Sequence, residues 1–300
     1  TLKVIESLRG ETKNDSCDQH DLPATLWVVA TPIGNLEDFS PRAQRVLGAV
    51  DLVVCEDTRH TGRLLAAFGI KARLASLHEH NEEREVPGLL RRLESGENIA
   101  LVSDAGTPLL SDPGFRLVRA AAAAGHAVSP VPGPSAITAA LSVAGLPTDR
   151  FTFEGFLPAK AAARRARLEA LVSEPRTMVL FEAGNRLAGL LEDAASILGA
   201  ERVAVVAREL SKLHETLYRG ALAELAVRVA GDADASRGEV VVVIAGLAEV
   251  EKAAGDAVLL ARLLPELLQE LPPSRAVRIA AKLSGVPRAE VYALALKLSP

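Results

Sequence analysis

Ile-Ala-Leu-Val-Ser-Asp-Ala-Gly-Thr-Pro, residues 99–108, joins an apolar strand to a turn of small residues that carries one carboxylate. The apolar half predicts a buried strand. Asp104, Gly106 and Thr107 would then lie at its carboxyl end, where open α/β sheets bind ligands. Ser111-Asp112-Pro113 follows and predicts a helix N-cap with proline in the first turn. By itself this motif leaves open a plain strand-to-helix turn without a ligand.

Two further loops of the same kind follow short apolar strands. Residues 27–30 lead into Thr31-Pro32-Ile33-Gly34-Asn35-Leu36, and residues 127–131 lead into Pro132-Gly133-Pro134-Ser135-Ala136. Because the carboxyl ends of parallel strands lie on one edge of a sheet, the three loops are expected to converge on one crevice. The last loop opens a helix, whose free N–H groups and dipole suit a carboxylate or phosphate.

The order of elements predicts an α/β fold with two domains. Strands and helices alternate up to residue 144, which is typical of a doubly wound parallel sheet. After Gly145-Leu146-Pro147 some strands follow strands directly, so we expect a second, mixed α/β domain over 147–247, with the crevice at the domain interface. Residues 248–300 have a helical pattern, and the turn Ser284-Gly285-Val286-Pro287 gives them the form of a helix-turn-helix. A small helical appendage on the core or on a partner subunit is an equal alternative.

Composition excludes several classes of protein. The chain is 49% hydrophobic, enough for buried cores, but its longest apolar runs, such as Val240–Ala245, are too short to span a bilayer. Cys17 and Cys55 are the only cysteines, which argues against a disulfide framework or a thiolate zinc site. Residues 1–24 are rich in charge and lack a long apolar core, so we expect a disordered tail before a domain that begins at residue 25. A soluble, cytoplasmic protein is the expectation.

The charge distribution matters more than the net charge of −4. Residues 1–158 contain 15 Lys/Arg and 20 Asp/Glu, whereas residues 159–300 contain 19 Lys/Arg and 18 Asp/Glu. Nucleic-acid binders are often basic overall, but a local patch is enough to hold phosphates. Two segments are basic: Lys160, Arg164, Arg165, Arg167 and Arg176 in the first, and Arg275, Arg278, Lys282, Arg288 and Lys297 in the second. For Arg164-Arg165-x-Arg167 the alternative is a solvated helix face.

Six motifs in order make the chain similar to a known family. The dinucleotide fingerprint and the P-loop are both missing from the sequence. The motifs are Thr31–Leu36, Glu56–Thr61, Ser103–Pro108, Pro132–Ala136, Phe153–Pro158 and Arg208–Lys212. They resemble the RsmI family, small-subunit (16S) ribosomal RNA cytidine 2′-O-methyltransferases that use S-adenosylmethionine and form a branch of the tetrapyrrole methylase superfamily. The resemblance covers about residues 25–247. It implies a two-domain tetrapyrrole methylase fold and a homodimer that acts on small-subunit ribosomal RNA or on the assembled small subunit.

The resemblance also implies site residues. Those expected to bind S-adenosylmethionine are Pro32, Gly34, Leu36, Ser103, Asp104, Ala105, Gly106, Thr107, Pro132, Gly133, Ser135 and Ala136. Those expected to contact RNA are Arg59, Phe156, Lys160, Arg164, Arg165, Arg167, Glu182 and Lys212. Phe156 is preferred over Phe151 and Phe153, which share one strand face and are expected in the core. Ala183-Gly184-Asn185 departs from the family, which often has a histidine at the third position.

Transfer of a methyl group to a ribose hydroxyl requires alignment of donor and acceptor and a route for one proton. Asp57 and His60 follow the second apolar strand and are the candidate proton acceptors. The alternative is that Asp57 caps the next helix, with Arg59 and His60 on the surface. His78-Glu79-His80 with Glu82 would offer metal ligands, but nothing marks a third ligand or an open position, so no metal is expected.

Two other functions remain open. A tetrapyrrole C-methylase would also use basic residues for a polyanionic substrate, although Glu56–Thr61 and Phe153–Pro158 favour RNA. A non-catalytic RNA- or ribosome-binding protein could keep the fold, but all three cofactor loops are intact.

Overall fold

The computed structural model describes residues 24–247 and 249–298, with only the backbone described for 249–258. The expected tail therefore lies, apart from Ala24, outside the described residues. The described chain divides into two compact units. Unit 1 comprises 24–32 and 36–134, and unit 2 comprises 33–35 and 135–298. Two of the three loops predicted to bind cofactor contain a boundary between the units.

Unit 1 is a parallel sheet with helices on both faces, as its alternating sequence predicts. Its strands are β1 (Thr25–Val29), β2 (Leu52–Cys55), β3 (Leu74–Ser76), β4 (Ile99–Val102) and β5 (Ala127–Val131). Its helices are α1 (Pro41–Ala49), α2 (Thr58–Ala67), α3 (Glu82–Glu94) and α4 (Phe115–Ala123). The strand order is β3-β2-β4-β1-β5, and every neighbouring pair is parallel. Successive residues of β2 and β4 alternate between two apolar clusters, one on each face, which explains why these strands read as uninterrupted apolar runs.

Helix α4 begins later than the sequence predicts. Ser111-Asp112-Pro113 does not form its first turn; the N-cap is Gly114, in the left-handed region at φ 113°. A Cβ on Gly114 would lie 2.6 Å from Leu101 Cδ2, so the close approach to β4 requires glycine. The first N–H groups of the helix are satisfied by a distant residue, because Glu82 Oε1 accepts from the backbone N–H groups of Arg116 (2.8 Å) and Leu117 (3.3 Å).

Unit 2 contains a mixed sheet. Its strands are β6 (Phe151–Phe156), β7 (Thr177–Ala183), β8 (Val203–Arg208), β9 (Thr216–Ala221) and β10 (Glu239–Ile244), in the order β6-β7-β10-β8-β9. Only β6 and β7 are parallel; the other neighbours are antiparallel. The helices that accompany the sheet are α5 (Ala136–Ala144), α6 (Ala161–Ala170), α7 (Gly184–Leu198) and α8 (Leu222–Ala230).

The two faces of this sheet explain where the first unit ends. Ile137 and Leu141 of α5 pack with Val179 and Val241 on one face, while α7 and α8 supply most of the helical cover of the other. The packing therefore divides the chain before α5, earlier than the boundary suggested by Gly145-Leu146-Pro147.

Three helices end the described chain: α9 (Glu249–Glu270), α10 (Pro273–Ser284) and α11 (Arg288–Leu298). They share an apolar cluster of their own, which includes Leu264, Val277 and Val291. Gly285 at φ 70° closes α10 and forms the predicted turn between the last two helices. Within the described residues, every helix is too short or too polar to cross a membrane.

Candidate functional site

The loops at the carboxyl ends of β1, β4 and β5 are tied together within unit 1. Thr31 and Gly106 exchange two backbone hydrogen bonds, of 2.9 and 3.1 Å. The hydroxyl of Thr31 donates to the carbonyl of Ser103 (3.1 Å), and that of Thr107 donates to the carbonyl of Pro134 (3.1 Å). The sequence prediction that these loops meet at one edge is therefore correct for their unit 1 residues.

Glycine allows the close approach of these loops. Gly106 is buried, has φ 84° and carries the bridge to Thr31. A Cβ on Gly133 would lie only 3.0 Å from the Cβ of Ala30. The hydroxyl of Ser103 donates to the carbonyl of Gly106 (3.2 Å) and so holds the turn after β4 in shape. The two glycines thus let the backbones of these loops pack closely at this edge.

Carboxylates gather at the same edge. The backbone N–H of Asp57 donates to Asp104 Oδ1 (3.3 Å), which joins the loops after β2 and β4. Burial, together with the negative charge of Asp104, raises the pKa of Glu56. Burial beside Glu56 and Asp104 also raises the pKa of Asp112 to about 6.

The segment that carries Asp112 is strained. Leu109 and Ser111 have φ values of 76° and 67°, in the left-handed region that non-glycine residues rarely occupy. Strain of this kind is common at functional sites. The sequence pattern around Asp112 predicts only a helix start. The signal that could have found it is its position ten residues after β4, which returns the chain to the carboxyl edge.

Asp57 occupies the position that the capping alternative predicted. It is the N-cap of α2, and Oδ1 accepts from the backbone N–H of Arg59 at 2.8 Å. The guanidinium of Arg59 also donates to both carboxylate oxygens, at 3.2 and 3.0 Å. These bonds lower the pKa of Asp57 to about 2. Asp57 is therefore a weak proton acceptor in this arrangement, while Arg59 and His60 are exposed.

Gly34, in the part of the loop after β1 that belongs to unit 2, packs against the side chain of a lysine. A Cβ on Gly34, at φ 153°, would lie 2.2 Å from Lys212 Cγ. The ammonium of Lys212 donates to Glu209 (2.9 Å) and Glu239 (3.0 Å). Glu209 and Ser211 both have positive φ, 51° and 67°, so the segment that presents Lys212 is itself strained. Lys212 is thus placed against the predicted cofactor loop with its charge paired, which is different from the free RNA contact that the sequence suggested.

Helix α5 begins without a side-chain cap. Ser135 is the N-cap but makes no side-chain hydrogen bond to the helix, so it does not satisfy the first N–H groups. Ala136 and Ser135 are half-buried, and Pro132 and Gly133 before them are exposed. Leu36, the last residue predicted for the first loop, is 50% exposed.

The arginines of α6 are paired with carboxylates of the protein itself. Arg164 is buried and donates to Asp193 Oδ2 (2.7 Å) and to the carbonyl of Gly189 (3.2 Å). Arg165 donates to the other oxygen of the same carboxylate (2.6 Å), and Arg167 pairs with Glu154. Arg164 was predicted to contact RNA, but the structure buries its guanidinium against α7, where it is paired with Asp193. Arg165 and Arg167 keep exposed area but have their charges paired, and Lys160 is exposed before the helix.

Glu182, also predicted to contact RNA, is placed in the interior of unit 2. Its side chain is fully buried, because β7 continues to Ala183 and places Glu182 on the helix-covered face with Met178 and Leu180. It accepts from the backbone N–H of Ala183 (2.8 Å) and lies 3.0 Å from the Nε of Arg186. Burial raises the pKa of Glu182.

A β-bulge changes the expected position of Phe156. The register between β6 and β7 shifts between Phe153 and Gly155, where Gly155 has φ 63°. Phe156 therefore lies on the face of Phe153, not opposite to it, and both rings contact Phe181 at centroid distances of 5.7 and 4.8 Å. Phe156 is nevertheless 55% exposed and remains available for a ligand.

The His78–Glu82 segment is a structural turn. Glu82 caps α4, and Asn81 accepts from the backbone N–H of His78 (2.8 Å). Across the described residues, no three His, Cys, Asp or Glu side chains come together in a way that could hold a metal ion.

Comparison with protein families gives two matches. Residues 25–226 match the model of the Tetrapyrrole (Corrin/Porphyrin) Methylases, and residues 253–299 match the model named RsmI C-terminal HTH domain. The first match contains all three candidate cofactor loops. The second contains α10 and α11.

Curated relatives are similar over almost their whole length. One from Xylella fastidiosa (strain Temecula1) is 55% identical over 271 residues, 90% of this chain and 98% of the relative. One from Escherichia coli O157:H7 is 50% identical over 273 residues, 91% and 94% of the two chains. Both are named ribosomal RNA small subunit methyltransferase I.

Solved structures support the fold. A uroporphyrin-III-C-methyltransferase from Thermus thermophilus aligns with a TM-score of 0.53 at 21% identity, over 77% of this chain and 97% of that one. A structure of that enzyme from the same organism complexed with S-adenosyl homocysteine aligns with a TM-score of 0.51 at 19% identity, over 74% and 97%.

Proposed function

The chain belongs to the tetrapyrrole methylases and, within them, to the RsmI family of ribosomal RNA small subunit methyltransferases, and we propose that it methylates the 2′-hydroxyl of a cytidine in 16S ribosomal RNA. The observation that carries the proposal is sequence identity of 42–55% to curated relatives over about 90% of the chain. The chain is an S-adenosylmethionine-dependent methyltransferase. The finer choice of cytidine and of the ribose oxygen follows from the resemblance of its six motifs.

The residues of the candidate loops fit the cofactor. We propose that S-adenosylmethionine contacts Pro32–Leu36, Ser103–Thr107 and Pro132–Ala136. Support comes from the glycine at Gly133, where a Cβ would meet Ala30, and from the uncapped start of α5, which suits the carboxylate of an amino acid. When bound, the cofactor supplies a methyl group on a sulfonium. The role left to the protein is to orient the acceptor hydroxyl and to receive its proton.

For the proton acceptor we propose Asp112 ahead of Asp57. Asp57 caps α2 and is paired with Arg59, so its carboxylate holds protons poorly. Asp112 lies with Glu56 and Asp104 at the same edge, and its pKa of about 6 suits a general base near neutral pH. His60, exposed in the first turn of α2, is the other candidate.

We propose that the protein is a cytoplasmic homodimer. The superfamily resemblance is the main support. Two apolar helices are covered inside unit 2 and so do not supply dimer surface with these side chains: Ile137 and Leu141 of α5 pack on the sheet, and Leu260 and Leu264 of α9 pack on α10 and α11. Exposed apolar residues remain on unit 1, including Phe115 at 63%. Light scattering should give about twice 31.6 kDa at micromolar concentration. A mass near 32 kDa would contradict the dimer.

The proposal is tested by methyl transfer in vitro. Purified protein, labelled S-adenosylmethionine and small ribosomal subunits that lack the modification should give labelled 16S RNA. Alkaline hydrolysis then distinguishes the acceptor, because cleavage needs a free 2′-hydroxyl and a 2′-O-methylated linkage survives as a dinucleotide. Label in mononucleotides would indicate base methylation, and no label in RNA would contradict the function. Label transferred to a tetrapyrrole would support the C-methylase alternative.

A further inference from the structure

Helix α10 carries a stripe of positive charge on its outer face. Arg275, Arg278 and Lys282 are spaced by three and four residues, so they lie on one side of the helix. All three are exposed. The buried residues of the helix that pack in the cluster with α9 and α11, Val277 and Ala280, lie on the opposite side. We call Arg275, Arg278 and Lys282 the α10 stripe.

The α10 stripe differs from the basic residues of α6 in its pairing. The three arginines of α6 face Asp193 or Glu154, whereas no carboxylate of the described residues pairs with any member of the α10 stripe. Between residues 271 and 298 the only acidic residue is Glu290, against five Lys/Arg. The charge of α6 is paired inside unit 2, while that of α10 has no carboxylate partner among the side chains that the structure describes.

The form of the α10 stripe indicates what kind of partner it suits. Its three cations extend over about 10 Å along the helix axis, enough to meet more than one phosphate of a strand. Long basic side chains on a regular helix suit the backbone of a nucleic acid, which attracts them without regard to sequence. The following helix, α11, exposes Tyr292 and Leu296 and offers few charges for base edges.

We propose that the α10 stripe binds the phosphate backbone of small-subunit ribosomal RNA and that it, in place of α6, supplies the main electrostatic contact with the substrate. This inference rests on the proposed function. The α10 stripe contributes to affinity for RNA and takes no part in methyl transfer or in cofactor binding.

The test compares two triple variants of the full chain with equal loss of charge. The first is Arg275→Gln, Arg278→Gln, Lys282→Gln. The control, Arg45→Gln, Lys71→Gln, Arg119→Gln, removes two arginines and one lysine that are exposed on unit 1. Binding to protein-free 16S RNA and to small subunits is measured over a series of salt concentrations. Calorimetry with S-adenosyl homocysteine and methyl transfer at saturating RNA complete the comparison.

The α10 variant should bind protein-free RNA roughly 10- to 100-fold more weakly at low salt, with a log–log salt slope lower by about 2. Its KM for RNA should rise while kcat and cofactor affinity stay near those of the wild type, and the control should remain within about threefold of the wild type in every measurement. Arg275→Lys with Arg278→Lys keeps the charges and should retain binding.

Three outcomes would overturn the inference. The first is a variant that binds both probes as the wild type does. The second is an equal loss in the control, which would make the effect one of net charge. The third is normal binding to protein-free RNA with weaker binding to small subunits, which would identify a protein partner. A wild-type protein that methylates neither probe would contradict the proposed function itself, whatever the variants do.

Discussion

Single residues decide which chemistry the carboxyl edge of unit 1 can perform. From sequence, Asp57 and His60 were the natural candidates, because they follow a buried strand. The structure gives Asp57 a pKa of about 2 through Arg59 and gives Asp112 a pKa of about 6 through burial near Glu56 and Asp104. Such differences arise from side-chain pairing and desolvation in three dimensions, which spacing along the chain does not encode.

A pH series separates the candidates for proton acceptor. If Asp112 accepts the proton, the single-turnover rate with saturating RNA and cofactor rises through about pH 6 and is level above it. Asp112→Asn should lower the rate about 100-fold or more and remove this rise. Asp57→Asn keeps a capping side chain and should change the rate less than about tenfold. An unchanged rate in Asp112→Asn would contradict the assignment, and a large loss confined to His60→Ala would transfer the role to His60.

The raised pKa of the Asp112 carboxyl also makes the stability of the fold depend on pH. Its pKa in the folded protein, about 6, is above the ordinary value of 3.8, so the folded state holds the proton over a range in which the unfolded state has released it. Stability attributable to Asp112 is therefore greatest below about pH 4 and decreases as the pH rises to about 6. Denaturant unfolding of Asp112→Asn should lack this decrease. Equal pH dependence in the variant and the wild type would show that Asp112 has no shifted pKa.

Gly34 provides a residue-scale test of the first cofactor loop. Gly34→Ala places a methyl group against the stem of Lys212, so the loop must move, and affinity for S-adenosyl homocysteine should fall at least about tenfold. Gly69→Ala is the matched control, since it has φ 68° and nothing within 4 Å of a built Cβ. It should cost about 1 kcal/mol of stability and leave cofactor affinity unchanged. Calorimetry that finds both variants equal to the wild type would remove Pro32–Leu36 from the cofactor site.

At the scale of elements, apolar patterning predicts most of the architecture. Short, mostly apolar runs identify β1 to β5, and their alternation with helices gives a parallel sheet whose loops meet at one edge. The pattern cannot show the bulge at Gly155 that moves Phe156 to the face of Phe153, or the capping of α4 by Glu82 from another helix. Both depend on contacts between elements that are far apart in sequence.

Asp193 joins two helices, so its replacement should cause a large loss of stability. It receives hydrogen bonds from Arg164 and Arg165 and so attaches α6 to α7. Asp193→Ala leaves the buried guanidinium of Arg164 without its partner, which should lower the free energy of unfolding by about 3–5 kcal/mol. Glu192→Ala, an exposed neighbour, should change it by less than about 0.5 kcal/mol. Similar denaturant midpoints for the two variants would show that the pair does not hold the helices together.

For the whole molecule, charge patterning was the least informative part of the sequence. The cluster around Arg164 looks like a phosphate site in the sequence. In the folded protein its charges are paired with Asp193 and Glu154. The ordered motifs were the most informative part, since each corresponds to a loop or strand end with a defined place in its unit. They predicted the family that the relatives establish.

Mass-spectrometric mapping of ribose methylation in 16S RNA, from cells with and without this protein, decides whether the chain methylates a cytidine 2′-hydroxyl. We expect one 2′-O-methylated cytidine that is present with the protein, absent without it and restored by the wild-type gene. An identical methylation map in both cells, with every ribose methyl group retained when the protein is missing, would contradict this function.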